Sequence, residues 1–176
     1  MQKLTYNVAV SLDGFIARKD GSYDGFLAEG EHVAEYLRAM REDYGTVLMG
    51  RATYDVGLAV GVVDPYPWLE TFVFTSRAAE LAPGAPRVSF VDGDANAFVR
   101  ALKAKEGKGI YLCGGGKLAA SLLGAGLVDE LVLKVNPVLF GRGIPVAGSA
   151  GWPRALALTG SVAYPSGVVV SRYAVG

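Results

Sequence analysis

The sequence has one cysteine, Cys113, so no disulfide can close within the chain, and no CxxC pair or cysteine–histidine cluster is present to hold a metal. A reducing compartment and no metal site are expected. Charge of one sign is not in excess: 17 basic and 17 acidic side chains give a net charge of +0 and a pI of about 6.6. They are scattered without a block of five or six like signs, which argues against a nucleic acid held by charge. Long apolar runs are missing too. The stretch 131–140 is interrupted by Lys134, Asn136 and Pro137, and falls short of the roughly 20 residues a membrane-spanning helix needs. The N-terminal residues place polar side chains at every other position, unlike the apolar core of a secretion signal. A cytoplasmic protein with no membrane partner is expected. The 24 glycines are spread rather than gathered into a linker, and no internal repeat is visible. At 176 residues, 51% hydrophobic and a mean hydropathy of +0.30, residues 1–176 read as one domain with a substantial core.

What is present is an alternation of strand and helix signals. Residues 4–10 alternate, with Leu4, Tyr6, Val8 and Val10 on one face and Thr5, Asn7 and Ala9 on the other, the period of a strand. Residues 18–25 are rich in turn formers and read as a loop. Between residues 31 and 44, Val33, Tyr36, Leu37, Met40 and Tyr44 recur at three- and four-residue spacing and predict a helix with an apolar stripe. Residues 46–49, 71–75 and 87–91 read as strands. Asp94 is a plausible N-cap for a helix burying Phe98, Val99 and Leu102. Residues 110–113 form a strand that leads through glycines into a helix carrying Leu118, Ala119, Leu122 and Leu123, before extended structure resumes at 131–133. Residues 155–163 and 168–175, joined by Tyr164-Pro165-Ser166-Gly167, predict a closing hairpin. The expected fold is α/β: a mixed, mainly parallel sheet flanked by helices, with a C-terminal antiparallel hairpin and a ligand crevice at the carboxyl ends of the strands.

Three segments at strand ends carry candidate chemistry. In Cys113-Gly114-Gly115-Gly116-Lys117-Leu118, the absent Cβ atoms let backbone N–H groups approach a pyrophosphate at a helix start. The same glycines also serve tight strand–helix contact, and the run is not GxGxxG, since Ala119 and Ala120 follow. Met49-Gly50-Arg51-Ala52-Thr53-Tyr54 offers a guanidinium and a hydroxyl for phosphate oxygens, or simply a helix start with an exposed arginine. Thr75-Ser76-Arg77 suits the ribose phosphate that distinguishes NADPH from NADH, or is a plain loop. Parallel strands bring such ends to one sheet edge, so the three support one another.

Together with Ser11-Leu12-Asp13-Gly14-Phe15-Ile16-Ala17, Val128-Asp129-Glu130-Leu131 and Pro137-Val138-Leu139-Phe140-Gly141-Arg142-Gly143, these segments run in order along the chain. Over nearly its entire length the sequence resembles the dihydrofolate-reductase-like superfamily. It is most similar to the branch containing the reductase domain of riboflavin biosynthesis and its stand-alone relatives. The resemblance implies a three-layer fold and an NADPH-dependent reductase. By it, Gly50, Arg51 and Thr53 hold cofactor phosphates, and Thr75, Ser76 and Arg77 surround the adenosine 2′-phosphate. Gly114, Gly115 and Gly116 face the pyrophosphate, with Lys117 and Leu118 opening the helix behind it. Ala9, Ile16 and Ala17 line the nicotinamide pocket, with Cys113 close by, although a buried cysteine serves equally as a small inert hydrophobe.

The chain departs from the family at two positions. Where dihydrofolate reductases anchor the pterin with an acid on the first long helix, this sequence has Val33 or Ala34, between His32 and Glu35; where the riboflavin-pathway reductases carry a lysine, it has Asn7. His32 has no identifiable partner and is expected at the surface. Hydride transfer requires positioning of the nicotinamide against the acceptor and a proton source, a role that water can fill. Asp13, at the mouth of the crevice, and Glu35 are the candidate catalytic acids; burial of Asp13 would raise its pKa, whereas an Asp-Gly pair is otherwise a turn. The expected activity is reduction of a pterin-, pyrimidine- or related small heterocyclic substrate, with a nucleotide-binding protein lacking turnover as the alternative. The apolar C-terminal strands predict a homodimer.

Overall fold

The computed structural model describes residues 1–81, 84–148 and 155–176. Its elements in chain order are β1 (Leu4–Ser11), β2 (Phe15–Ala17), α1 (Glu31–Glu42), β3 (Tyr44–Gly50), α2 (Arg51–Ala59), β4 (Glu70–Phe74) and β5 (Val88–Val91). They continue with α3 (Ala95–Lys103), β6 (Gly109–Gly114), α4 (Gly116–Gly124), β7 (Glu130–Asn136), β8 (Ile144–Pro145), β9 (Leu156–Ala163) and β10 (Val169–Val175). Eight strands form one sheet in the order β5-β4-β3-β6-β1-β7-β10-β9. The pairings from β5 through β7 are parallel, and β10 runs antiparallel to both β7 and β9. The mixed, mainly parallel sheet and the terminal hairpin are those predicted from sequence.

Strand alternation divides the apolar side chains between two cores. Leu4, Tyr6, Leu48, Ile110 and Leu112 point toward α3 and α4, where they meet Val99, Leu102, Leu118 and Leu122. Val47, Met49, Tyr111 and Val73 point the other way, where Met40 of α1 and Tyr54 of α2 cover them. Helices therefore close both faces and give three layers, as parallel sheets require. Asp94 caps α3, its Oδ1 accepting from the N–H groups of Asn96 and Ala97. At the far end of α3, the Lys103 ammonium donates to Asp129 Oδ2 at 2.5 Å and to the Leu127 carbonyl at 2.7 Å. Asp129 Oδ2 also accepts from the Leu4 N–H at 2.7 Å, so one carboxylate joins α3 to the starts of β1 and β7.

The first helix differs from its sequence reading. Tyr44 opens β3, and the stripe facing the core runs through His32, Tyr36 and Met40, while Leu37 is 44% exposed. Those three residues lie four apart, so the buried face is rotated by about one position from the one chosen by counting apolar side chains. His32 is buried rather than at the surface: its Nε2 bonds the Leu27 carbonyl at 3.2 Å and its ring tilts against Tyr164. Helix α2 begins at Arg51, where the sequence offered a helix start as one alternative; the small sheet of β2 with β8 was not assigned from sequence, since two- and three-residue strands are too short to show a period. Among the described residues no helix is long and apolar enough to cross a membrane.

Candidate active site

The chain leaves β6 with Gly114 at φ +140° and Gly115 at φ +92°, conformations that side-chain-bearing residues rarely adopt, and enters α4 at Gly116. The turn lies against the neighbouring one at β3–α2: a Cβ on Gly115 would stand 3.1 Å from Thr53 Oγ1 and 3.7 Å from the Gly50 nitrogen. Neither α2 nor α4 has a side-chain cap, since both N-cap positions, Gly50 and Gly115, are glycine. Two sets of first-turn N–H groups thus open side by side at the carboxyl ends of adjacent strands, where the helix dipoles favour an anion. One strand further along the sheet, β4 is followed by Thr75, Ser76 and Arg77.

The two arginines are engaged locally. Arg51 Nε donates to Asp55 at 2.6 Å, and Arg77 pairs with Glu80 at 2.7 Å. The first pair is partly and the second largely exposed, where such contacts contribute little. Lys117 is exposed on the first turn of α4, whereas the Leu118 side chain is buried in the core beneath it and offers only its backbone.

Beside these turns lies a cavity of about 430 Å³. Ala9, Ile16, Thr53 and Cys113 line it, which brings four of the sequence-predicted residues to one space; Tyr23, Phe26, Tyr54 and Tyr66 supply aromatic wall. Ala17 is buried on β2, just behind Ile16. At the back, the Tyr36 hydroxyl meets those of Tyr111 at 3.0 Å and Tyr66 at 3.1 Å, and Tyr66 reaches Cys113 Sγ at 3.5 Å. Burial pushes Tyr36 up to about 12 and raises Tyr66 and Tyr111 as well, so this cluster is neutral. A second concavity, about 490 Å³ around Gly84, Ala85 and Ser89, offers among the described residues one hydroxyl and no ionisable group.

Neither predicted acid lines the cavity. Asp13 accepts from the Ser11 hydroxyl at 2.6 Å and from the backbone N–H groups of Phe140 and Gly141 at 3.1 and 2.6 Å. The Ser11 hydroxyl foremost, with those two amides, holds its carboxyl below the usual carboxylate range. The shift is opposite to the one expected from burial, because the side chain is an exposed clamp between β1 and the loop after β7. Glu35 is exposed and accepts from the Tyr164 hydroxyl at 2.5 Å.

The cavity-lining residue that sequence reading passed over is Lys134. It is half-buried on β7, lines the cavity, and holds its ammonium 3.6 Å from the centre of the Tyr36 ring. Burial pushes its pKa down to about 8. The available signal was a single lysine between Leu133 and Val135, read there only as an interruption. Asn7, two residues before Lys134's register partner Ala9, is buried with Oδ1 unpartnered.

Comparisons with known proteins give the family and the fold. The model of the RibD C-terminal domain matches residues 68–170. The uncharacterized protein YwjB of Bacillus subtilis (strain 168) is 33% identical over 149 residues, 82% of each chain. YyaP of the same organism, also uncharacterized, is 27% identical over 98% of this chain and 94% of its own. Among solved structures, a provisionally named riboflavin biosynthesis protein from Shewanella sp. PV-4 superposes with a TM-score of 0.83 at 27% identity, covering 100% of this chain and 99% of that one. The bifunctional deaminase/5-amino-6-(5-phosphoribosylamino)uracil reductase of Thermotoga maritima shares the fold, with a TM-score of 0.73 at 18% identity over 99% of this chain and 57% of that one. A mainly parallel sheet flanked by helices, a paired glycine cradle at β3 and β6, and a family model covering more than half the sequence converge on one assignment: the chain belongs to the RibD C-terminal domain family, within the dihydrofolate-reductase-like superfamily.

Proposed function

We propose that this protein is an NADPH-dependent reductase that passes a hydride to a small heterocyclic acceptor. The observation that carries the reading is the order of the strand ends. Along β4, β3, β6 and β1 the sheet edge presents Thr75–Arg77, then Gly50–Thr53, then Gly114–Gly116, then Ala9 beside the cavity. At about 4.8 Å per strand this track is roughly 14 Å long, and favours an extended ligand with anionic groups toward β4 and a flat ring at β1. A dinucleotide phosphate has that form.

The residues fit the cofactor, since the space a Cβ on Gly115 would fill is left open between two uncapped helix starts. Bound NADPH supplies the hydride. Gly50 and Thr53 with Gly114, Gly115 and Gly116 hold the pyrophosphate by backbone N–H groups and one hydroxyl, while Arg51 exchanges Asp55 for a phosphate oxygen. Ser76 and Arg77 receive the 2′-phosphate. Ala9 and Ile16 flank the nicotinamide, and the aromatic walls exclude water from the reacting face.

Titration of intrinsic fluorescence with NADPH and NADH, repeated with Arg77→Ala, tests the reading. Tighter binding of NADPH and loss of that preference in the variant support it; no binding of either cofactor refutes it. A second reading, a nucleotide-binding protein without turnover, is favoured by the commitment of Asp13 and Glu35 to structural bonds outside the cavity. It requires NADPH binding with no oxidation across a panel of pterin, pyrimidine and other heterocyclic acceptors.

A further inference from the structure

Two polar groups in the cavity lack the partners that their chemistry calls for. Lys134 sits in the middle of β7, its backbone fixed between Ala9 of β1 and Val170 of β10, so it cannot withdraw to solvent without breaking the sheet. Among the described residues its ammonium has neither a hydrogen bond nor an ion pair, only the Tyr36 ring. A ring quadrupole compensates part of what a desolvated cation loses. No Asp or Glu lines the cavity among the described residues, and the nearby candidates, Asp13 and Glu35, are already bonded elsewhere. Any counter-ion for it therefore arrives from outside.

The second group is Asn7, 5% exposed, whose buried Oδ1 has no donor. Ala9 pairs with Lys134, so Asn7 and Lys134 lie on one face of neighbouring strands, two residues apart in register. Buried polar atoms are almost always bonded, and an unmatched acceptor beside an unmatched cation inside a cavity is an arrangement completed by a ligand. The walls around them, Tyr23, Phe26, Tyr54 and Tyr66, favour a flat ring.

We propose that the cavity recognises an acidic aromatic molecule, whose anionic group pairs with Lys134 and whose adjacent N–H or O–H donates to Asn7 Oδ1. The proposal rests on reading this cavity as the acceptor half of a reductase site, and adds the charge of that acceptor. The cofactor's own phosphates are accounted for at the glycine turns and at Arg51 and Arg77, away from Lys134.

The pH dependence follows from the surroundings. Cys113 and Tyr111 face Lys134 from β6, Tyr36 from α1, and Tyr66 from the segment before β4; β1 and β10 contribute Asn7, Ala9 and Val170, none ionisable. With a pKa of about 8, Lys134 is protonated at pH 7. An anion stabilises that form, so its affinity is constant below about pH 8 and falls above it by up to about tenfold per pH unit.

Calorimetric titration with four probes decides the matter: benzoate, indole-2-carboxylate, its 1-methyl derivative and indole-2-carboxamide, each with and without saturating NADPH. At pH 7 the carboxylate should bind about tenfold more tightly than the carboxamide, a typical effect of one desolvated ion pair. That preference should vanish in both Lys134→Met and Lys134→Gln and decline at pH 9.5, while NADPH affinity is unchanged. N-methylation should weaken binding to the natural protein but not to Asn7→Ala. Equal binding of indole-2-carboxylate and indole-2-carboxamide, failure of both benzoate and indole-2-carboxylate to bind, or a preference that survives in Lys134→Met overturns the proposal. Loss of the preference on adding NADPH, with weaker NADPH binding in Lys134→Met, would reassign the cation to the cofactor and overturn it too. Should NADPH not bind the natural protein, the reductase reading fails, yet the carboxylate preference still decides this proposal.

Discussion

Gly115, in the turn between β6 and α4, and Thr53, in the first turn of α2, stand so close that a Cβ on Gly115 would lie 3.1 Å from Thr53 Oγ1, while the backbone there holds φ +92°. Gly115→Ala is therefore expected to move both turns and weaken NADPH binding at least about tenfold, the scale of one lost anion contact. Fluorescence titration measures the loss, and an unchanged far-ultraviolet circular dichroism spectrum confines it to the site. An unaltered dissociation constant would mean that the cradle does not hold the pyrophosphate.

Asp129 is where the second prediction lies. It accepts from Lys103 and from the Leu4 N–H, and Lys103 is mostly buried. Asp129→Ala leaves a mostly buried cation and an amide unpaired, and should lower stability by roughly 2 kcal/mol, less than a fully buried pair because Asp129 itself is 37% exposed. The double variant Lys103→Met, Asp129→Ala should recover part of that loss in urea unfolding. Equal midpoints for the natural protein and the single variant would contradict the assignment.

Lys134 gives the third, through linkage. Its pKa is about 8 in the folded protein against 10.5 when free, so folding favours the neutral amine. The penalty is fully present below about pH 8 and disappears as pH rises toward 10.5. Lys134→Met should therefore stabilise the protein at pH 7 by roughly 2 kcal/mol, less than the shift alone implies because the side chain is only half-buried. The gain should close by pH 10.5. Urea midpoints at the two pH values check both the sign and the window; a destabilised variant at pH 7 would show that the amine has a partner.

These residues also show how far the sequence could be read. The cradle was legible because glycine at a strand end has few uses, and because parallel strands place such ends on one edge; Gly50, Thr53 and Gly115 meet as expected. The acids were not legible. Asp13 is held by backbone N–H groups of Phe140 and Gly141, more than 120 residues away in the chain, and no local pattern reports a long-range clamp. Lys134 escaped because its importance lies in the missing counter-ion, a property of the space around it. His32 was misplaced since a helix stripe counted by apolar type skips a buried imidazole.

The hairpin offers the last prediction. β9 is the edge strand of the large sheet and leaves Leu156, Leu158 and Val162 at 38%, 60% and 51% exposure. An uncovered apolar edge is an invitation to pairing that monomers avoid by charge or proline, and none of the side chains of β9 is charged. A second copy running antiparallel along β9 would bury the same residues on both chains, as two-fold symmetry requires. Light scattering should then give about 37 kDa, twice the chain mass of 18.4 kDa, and Leu158→Lys with Val162→Glu should halve it without loss of circular dichroism. A mass of one chain for the natural protein at micromolar concentration would mean that the edge is left open.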